Sequence, residues 1–332
     1  MSTIKLDGST LTAAEVALVA NGNPVEVATD AWGAINRSRE VVEGIIERGE
    51  IVYGINTGFG ALVNKRISQE DLAKLQVNLI RSHACAIGEP MSKVDTRAMM
   101  CIRANSLVKG RSGIQASVIE QIISYLNEDI IPVIPRIGSL GASGDLAPLS
   151  HMALTLIGEG KVWNDNGIGC PTNELLNKRG LIPVNLAAKD GLSLINGTSQ
   201  MCSFLLNSEQ RLSNLLIFAD LIACASMEAR ECSLNPMDER VQNARPHPGQ
   251  KIVAERIVQI MSDSPILSAH SDCDKVQDAY SFRCIPQVHG AVYQRFMELQ
   301  STLQIEINSA TDNPLIFPDL ANPGPHEVIS QG

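Results

Sequence analysis

Apolar positions along the chain recur mainly at helical spacing. Trp32, Ile35, Val42, Ile45 and Ile46 mark one amphipathic face, and Ile114, Val118, Ile119, Ile122 and Leu126 mark another. From Ser199 to Leu234 there is neither glycine nor proline, and Met201, Leu205, Leu212, Leu215, Ile222 and Met227 keep the helical spacing. That stretch predicts one helix, about 50 Å long at about 1.5 Å per residue. A second long helix is expected from about Pro286 to Ile307, and a shorter one from Ile252 to Met261. Strand patterns are few. Asp129 to Ser139 carries Pro132 and Pro135 and reads as an extended connection, and Asn235 to Gly249, with three prolines, reads as a surface loop.

These elements predict a mainly α protein. Residues 1–185 form a mixed, mainly helical globular part, and residues 186–332 supply long helices that pack in a bundle. No internal repeat interrupts this division. The 44 % hydrophobic and 19 % charged content fits a soluble chain with a real core. A net charge of -9 disfavours nucleic acid or an anionic membrane as partner, because such surfaces need clustered Lys and Arg. Apolar runs such as 214–226 read as too short and interrupted for a membrane span of about 20 residues. Eight cysteines without a C-x-x-C pair, and no basic-then-apolar leader, lead us to expect a cytoplasmic protein with reduced thiols.

The sharpest chemical feature is the run Gly138-Ser139-Leu140-Gly141-Ala142-Ser143-Gly144-Asp145-Leu146-Ala147-Pro148-Leu149-Ser150-His151. Its glycines let the backbone turn sharply, and Asp145 can cap a following helix that tolerates Pro148 in its first turn. In such a turn the Gly144 nitrogen can attack the Ala142 carbonyl. Loss of water there and at the Ser143 side chain leaves an exocyclic methylidene. An isolated Ala-Ser-Gly says little, since ordinary usage yields it in about one chain in ten of this length. The whole run says more.

It resembles the prosthetic-group segment of the aromatic amino acid ammonia-lyases and related aminomutases, a family within the ammonia-lyase/fumarase-like superfamily. Further segments extend the resemblance in order along nearly the whole chain: Tyr53-Gly54-Ile55-Asn56-Thr57-Gly58-Phe59-Gly60, Leu194-Ile195-Asn196-Gly197-Thr198, Lys275 through Cys284, Pro286-Gln287, and Ser309-Ala310-Thr311-Asp312-Asn313-Pro314-Leu315. The resemblance implies a 4-methylidene-imidazol-5-one formed autocatalytically from Ala142, Ser143 and Gly144, with no external cofactor and no metal. It assigns the β-proton base to Tyr53 with Tyr280 in support, the substrate carboxylate to Arg283, and polar contacts to Asn196 and Gln277.

Removal of ammonia from an amino acid needs these types: an electrophile for the amine, a positioned base and a carboxylate clamp. Taken singly, each has a blander reading: Tyr53 as a surface aromatic, Arg283 as an ion-pair partner, Asn196-Gly197 as a turn. Ser82-His83 resembles the pair found in the histidine class, where His83 can hydrogen-bond a substrate imidazole; alone, it reads as a helix-surface histidine. The histidines His151, His247, His270, His289 and His326 have no metal-ligand spacing.

The family therefore implies a carbon–nitrogen lyase that converts L-histidine to trans-urocanate as a homotetramer whose active sites combine several subunits. Relatives are longer, and the chain stops at Gly332 where they continue. A C-terminally truncated chain with poor or no turnover is the resulting expectation. Tyrosine or phenylalanine ammonia-lyase or aminomutase activity is the nearest alternative, a non-catalytic helical assembly fragment another, and a fumarase-like lyase without the internal electrophile a third.

Overall fold

The computed structural model describes residues 2–57, 71–270 and 274–331, so Gly58, Phe59 and Gly60 of the tyrosine-bearing motif lie outside the described residues. The chain forms two compact units, Met1–Leu206 together with Leu303–Gly332, and Asn207–Thr302. The division expected at about residue 185 falls inside the first unit.

The first unit is built around helix Lys93–Val108, whose residues from Thr96 to Val108 are all buried. Ser92 starts it, its Oγ accepting from the Asp95 amide at 3.0 Å. Helices Ala13–Ala20, Trp32–Glu47 and Ala116–Asn127 pack against it. The last two are the amphipathic helices that the apolar spacing predicts. Because the central helix meets protein on every side, its polar residues must find partners inside: Arg97 Nε donates to Val19 O at 2.9 Å, and Asn105 Nδ2 to Ile307 O at 2.9 Å. Strands are short and occur only in two-stranded pairs among the described residues, Ile4–Leu6 with Val25–Val27, Ile87–Pro90 with Pro135–Ile137, Lys161–Trp163 with Gly169–Pro171, and Leu315–Ile316 with Val328–Ile329.

The second unit has its own apolar centre of Cys224, Met227, Met237, Val253, Ile257, Met261 and Ile285. Beside it, buried Asp220 accepts from Arg256 at 2.6 Å and pairs with His289 Nδ1 at 2.8 Å. The expected long helices are Ser199–Ala229 and Ile285–Glu306. The first ends before Leu234, where Glu231 takes a left-handed φ of 52° and the Cys232 amide turns back to Met227 O at 2.9 Å.

Two expectations need correction. Asn235–Gly249 is not a surface loop but a 3-10 turn at Asn235–Met237, a helix at Glu239–Ala244 and the start of helix Pro248–Met261. Pro236 and Pro248 sit at first-turn positions, where a missing amide proton costs nothing, Pro246 lies between the two helices, and Met237 and Gln242 are buried. The second concerns the expectation that apolar runs near residues 214–226 are too short and interrupted for a membrane span. Asp190–Ala229 contains a stretch long and apolar enough to cross a membrane by length and composition, with mean hydropathy 1.5 and 22 % of that stretch buried. Leu215, Phe218 and Ile222 are among its exposed side chains.

Candidate active site

The Ala-Ser-Gly run forms a single 3-10 turn, Gly141–Ser143, closed by the Gly144 amide donating to Gly141 O at 2.8 Å. Gly144 itself has φ +84°, a region that side chains disfavour, and a Cβ there would lie 2.8 Å from Gly197 O. The same Gly197 carbonyl accepts the Asp145 amide at 2.7 Å. The turn is thus laid directly on the Asn196–Thr198 segment, and only glycine fits at its last position.

Asp145 does not cap its own helix, Leu146–Leu156, as expected. Its Oδ2 accepts from the Gln200 and Met201 amides at 2.6 and 3.1 Å, and so caps helix Ser199–Ala229 instead. Burial raises its pKa, against hydrogen bonds from Ser139, Met201 and Gln200 that lower it.

A cavity of about 590 Å³ opens over the turn, lined by Ala142, Ser143, Gly144, Asn196, Gly197, Thr198, Glu306, residues 309–313 and Gln331. Four expected site residues therefore share one pocket. The Asn196 carboxamide is fixed by a 3.1 Å bond from Nδ2 to Asn313 O, which leaves its Oδ1 to face other groups. Thr198 Oγ1 donates to Glu306 Oε1 at 2.6 Å. Gln331 Nε2 donates to Asp312 O at 2.6 Å. Asp312, one of the lining residues, forms a fully buried ion pair with Lys189.

Tyr53 is half-buried in the turn that follows Val52, and the neighbouring Gly54 lies against Pro314 and Leu192. This places the Tyr53 turn against the residue that follows Asn313. His83 ends helix Leu72–His83, with Nδ1 2.9 Å from Leu79 O. A carbonyl only accepts, so Nδ1 is the donor in that contact, and Ser82 Oγ lies 2.9 Å from the same nitrogen. Neither residue lines the cavity.

The other three expected residues belong to the second unit. Arg283 stacks on Tyr280, its guanidinium carbon 5.1 Å from the ring centroid, and Nε donates to Asp278 O at 3.0 Å. Gln277 lines a separate cavity of about 390 Å³ with Glu231, Cys232, His270 and Lys275. Reasoning from the sequence missed Thr198, Glu306, Asp312, Asn313 and Gln331 as pocket residues. The Ser309–Leu315 motif was the available signal for Asp312 and Asn313, and the Leu194–Thr198 motif for Thr198, without a role attached.

The chain is 45 % identical over 317 residues to histidine ammonia-lyase from Bacillus subtilis (strain 168), covering 95 % of this chain and 62 % of that protein. Among solved structures it is similar to tyrosine aminomutase from Streptomyces globisporus, with TM-score 0.90 and 36 % identity over 100 % of this chain and 65 % of that one. It is also similar to histidine ammonia-lyase from Trypanosoma cruzi, with TM-score 0.87 and 35 % identity over 100 % of this chain and 61 % of that one. The chain spans less than two thirds of the length of each. The family model described as aromatic amino acid lyase matches residues 11–332, and with these relatives it shows that the chain belongs to the aromatic amino acid lyase family.

Proposed function

We propose that the full-length protein is a histidine ammonia-lyase, eliminating ammonia from L-histidine to give trans-urocanate. The observation that carries this reading is the Ala142–Gly144 turn, held by Gly197 in a pocket shared with Asn196. A methylidene-imidazolone made from those three residues would supply an electrophilic carbon for the substrate amine. Tyr53 is the base for the β-proton, Asn196 orients the substrate through its carbonyl edge, and His83 hydrogen-bonds the substrate imidazole. Arg283 holds the carboxylate as a forked donor, with Tyr280 and Gln277 in support, in a site completed by a homotetramer. The exposed Leu215, Phe218 and Ile222 favour such self-association over membrane insertion, since interrupting Glu209, Arg211 and Asp220 lie on the same helix. A cytoplasmic location fits the free cysteines among the described residues.

The test is an intact mass of the full-length protein, with peptide mapping across residues 136–151, followed by turnover of histidine, tyrosine and phenylalanine. A deficit of two waters in that peptide and urocanate as product are expected. The similarity to a tyrosine aminomutase favours one second reading, a tyrosine-directed enzyme of the same chemistry. Preference for tyrosine in that comparison would replace the histidine assignment.

A further inference from the structure

Arg103 stands first in volume among the fully buried side chains of the described residues. It projects from the all-buried helix Lys93–Val108, and Nη2 donates to the carbonyl of Ser193. Its Nε and Nη1 have no hydrogen-bond partner among the described residues. A guanidinium removed from water with two nitrogens unpaired is costly, and an apolar chain of similar length would occupy the space without that cost. Packing alone therefore does not account for an arginine here.

Its location offers a reason. A Cβ on Gly197 would collide with Arg103 Nη1, so the guanidinium lies directly behind that glycine. On its other side the Gly197 carbonyl accepts the Asp145 amide at 2.7 Å and stands 2.8 Å from where a Gly144 Cβ would be. One glycine separates the buried cation from the last residue of the ring-forming turn. Asp145 and Asp312 are the carboxylates that act on the guanidinium.

We propose that Arg103 is a positioning residue for ring formation: it backs the Gly197 peptide, whose carbonyl fixes Gly144 and Asp145 in the bend from which the Gly144 nitrogen reaches the Ala142 carbonyl. The inference rests on the reading of Ala142–Gly144 as the electrophile. In that step the bond from Gly144 N to the Ala142 carbonyl carbon forms. The Ala142 oxygen leaves as one water with the amide protons of Gly144 and Ser143, and the Ser143 hydroxyl leaves as a second with its Cα proton. No oxidant or reductant is needed. Arg103 touches none of the reacting atoms; it acts through Gly197.

The experiment follows the fraction of full-length protein that is two waters light against time after cell-free synthesis, for the wild type and for Arg103→Met, Arg103→Lys and Tyr125→Phe. Tyr125→Phe serves as the control because it removes another buried hydrogen bond, from Tyr125 Oη to Thr155 O at 2.6 Å, in the same unit. Arg103→Met is expected to slow ring formation by about a hundredfold, the penalty typical of a small misplacement of reacting groups, with Arg103→Lys between it and the wild type. Tyr125→Phe is expected to cyclise at the wild-type rate. If Arg103→Met does not fold, a folded Arg103→Lys carries the test. Cyclisation of either folded arginine variant at the wild-type rate overturns the proposal. So does equal slowing of Tyr125→Phe at a matched melting temperature, which would make Arg103 merely structural. A wild type with no two-water deficit overturns the electrophile reading and this inference with it, whereas a cyclised wild type beside an equally cyclised Arg103→Met overturns the role of Arg103 alone.

Discussion

Lys189 Nζ lies 2.6 Å from Asp312 Oδ2, with both side chains excluded from water. Lys189 also donates to Ser193 Oγ at 3.2 Å, and Asp312 Oδ1 accepts the Asn313 amide at 2.7 Å. The pair therefore ties the helix that precedes Asn196 to the segment that anchors the Asn196 carboxamide. Burial pushes the Lys189 ammonium down, and Asp312 draws it back up. Lys189→Met leaves a buried carboxylate without its counter-charge. We predict a loss of about 3–5 kcal/mol, read from urea unfolding, with much of it restored in Lys189→Met/Asp312→Leu. A single variant as stable as the wild type would show that Asp312 finds another partner.

Gly144→Ala tests the turn itself. A side chain at φ +84° is strained, and its Cβ would press on Gly197 O. Destabilisation by more than about 1 kcal/mol is expected, together with loss of the two-water deficit. An alanine variant that still loses both waters is incompatible with the glycine requirement.

Tyr53→Phe tests the proposed base apart from the proposed electrophile. It should retain the two-water deficit while kcat falls by about 10²–10⁴-fold, the range for removing a general base. Wild-type kcat in the phenylalanine variant would remove Tyr53 from the chemistry.

The exposed face of helix Ser199–Ala229 makes a separate prediction. Leu215→Glu/Phe218→Glu/Ile222→Glu places charge where apolar side chains now meet solvent. Light scattering of the full-length protein should show a smaller assembly and an unchanged fold by circular dichroism. An unaltered mass in solution would mean that this face is not an interface.

His151 provides a pH test. Its pKa is lowered by burial, so the folded state holds fewer protons than the unfolded chain once the pH drops below the ordinary histidine value of 6.5. Stability should therefore decline as pH falls from 6.5 toward the depressed folded value, and level off below it. His151→Gln should flatten that part of the curve, as measured by urea midpoints at stepped pH. Identical pH profiles for the two proteins would falsify the assignment.

Much of the fold was legible wherever a helix has two unlike faces. Trp32–Glu47 and Ala116–Asn127 show their buried stripe in the order of their residues. Lys93–Val108 does not, because it is enclosed on all sides and carries Arg97, Arg103 and Asn105 inward, so no polar face exists to set the period. The end of the long helix at Glu231 was hidden for another reason: a left-handed cap was made by a residue other than glycine.

At the site, Ala142–Gly144 and Asn196, which line one pocket, could be singled out because each lies in a short motif that resembles the family's. Arg103, Lys189 and Glu306 were not. A charged residue in a sequence reads as surface, and what buries these three or seats them in the pocket comes from segments distant in the chain, as Ser193 does for Arg103, Asp312 for Lys189 and Thr198 for Glu306.

The first unit is discontinuous: residues 207–302 interrupt it before Leu303 returns the chain to it. During synthesis the Ala142–Gly144 turn and its Asn196–Thr198 support leave the ribosome well ahead of Glu306, Asp312 and Gln331, which complete the pocket. At about 5–20 residues per second, the interval is on the order of ten seconds. Through that interval Lys189 has no Asp312 and Asn196 has no Asn313 carbonyl, so the pocket over the Ala142–Gly144 turn is completed only by the late return of the chain.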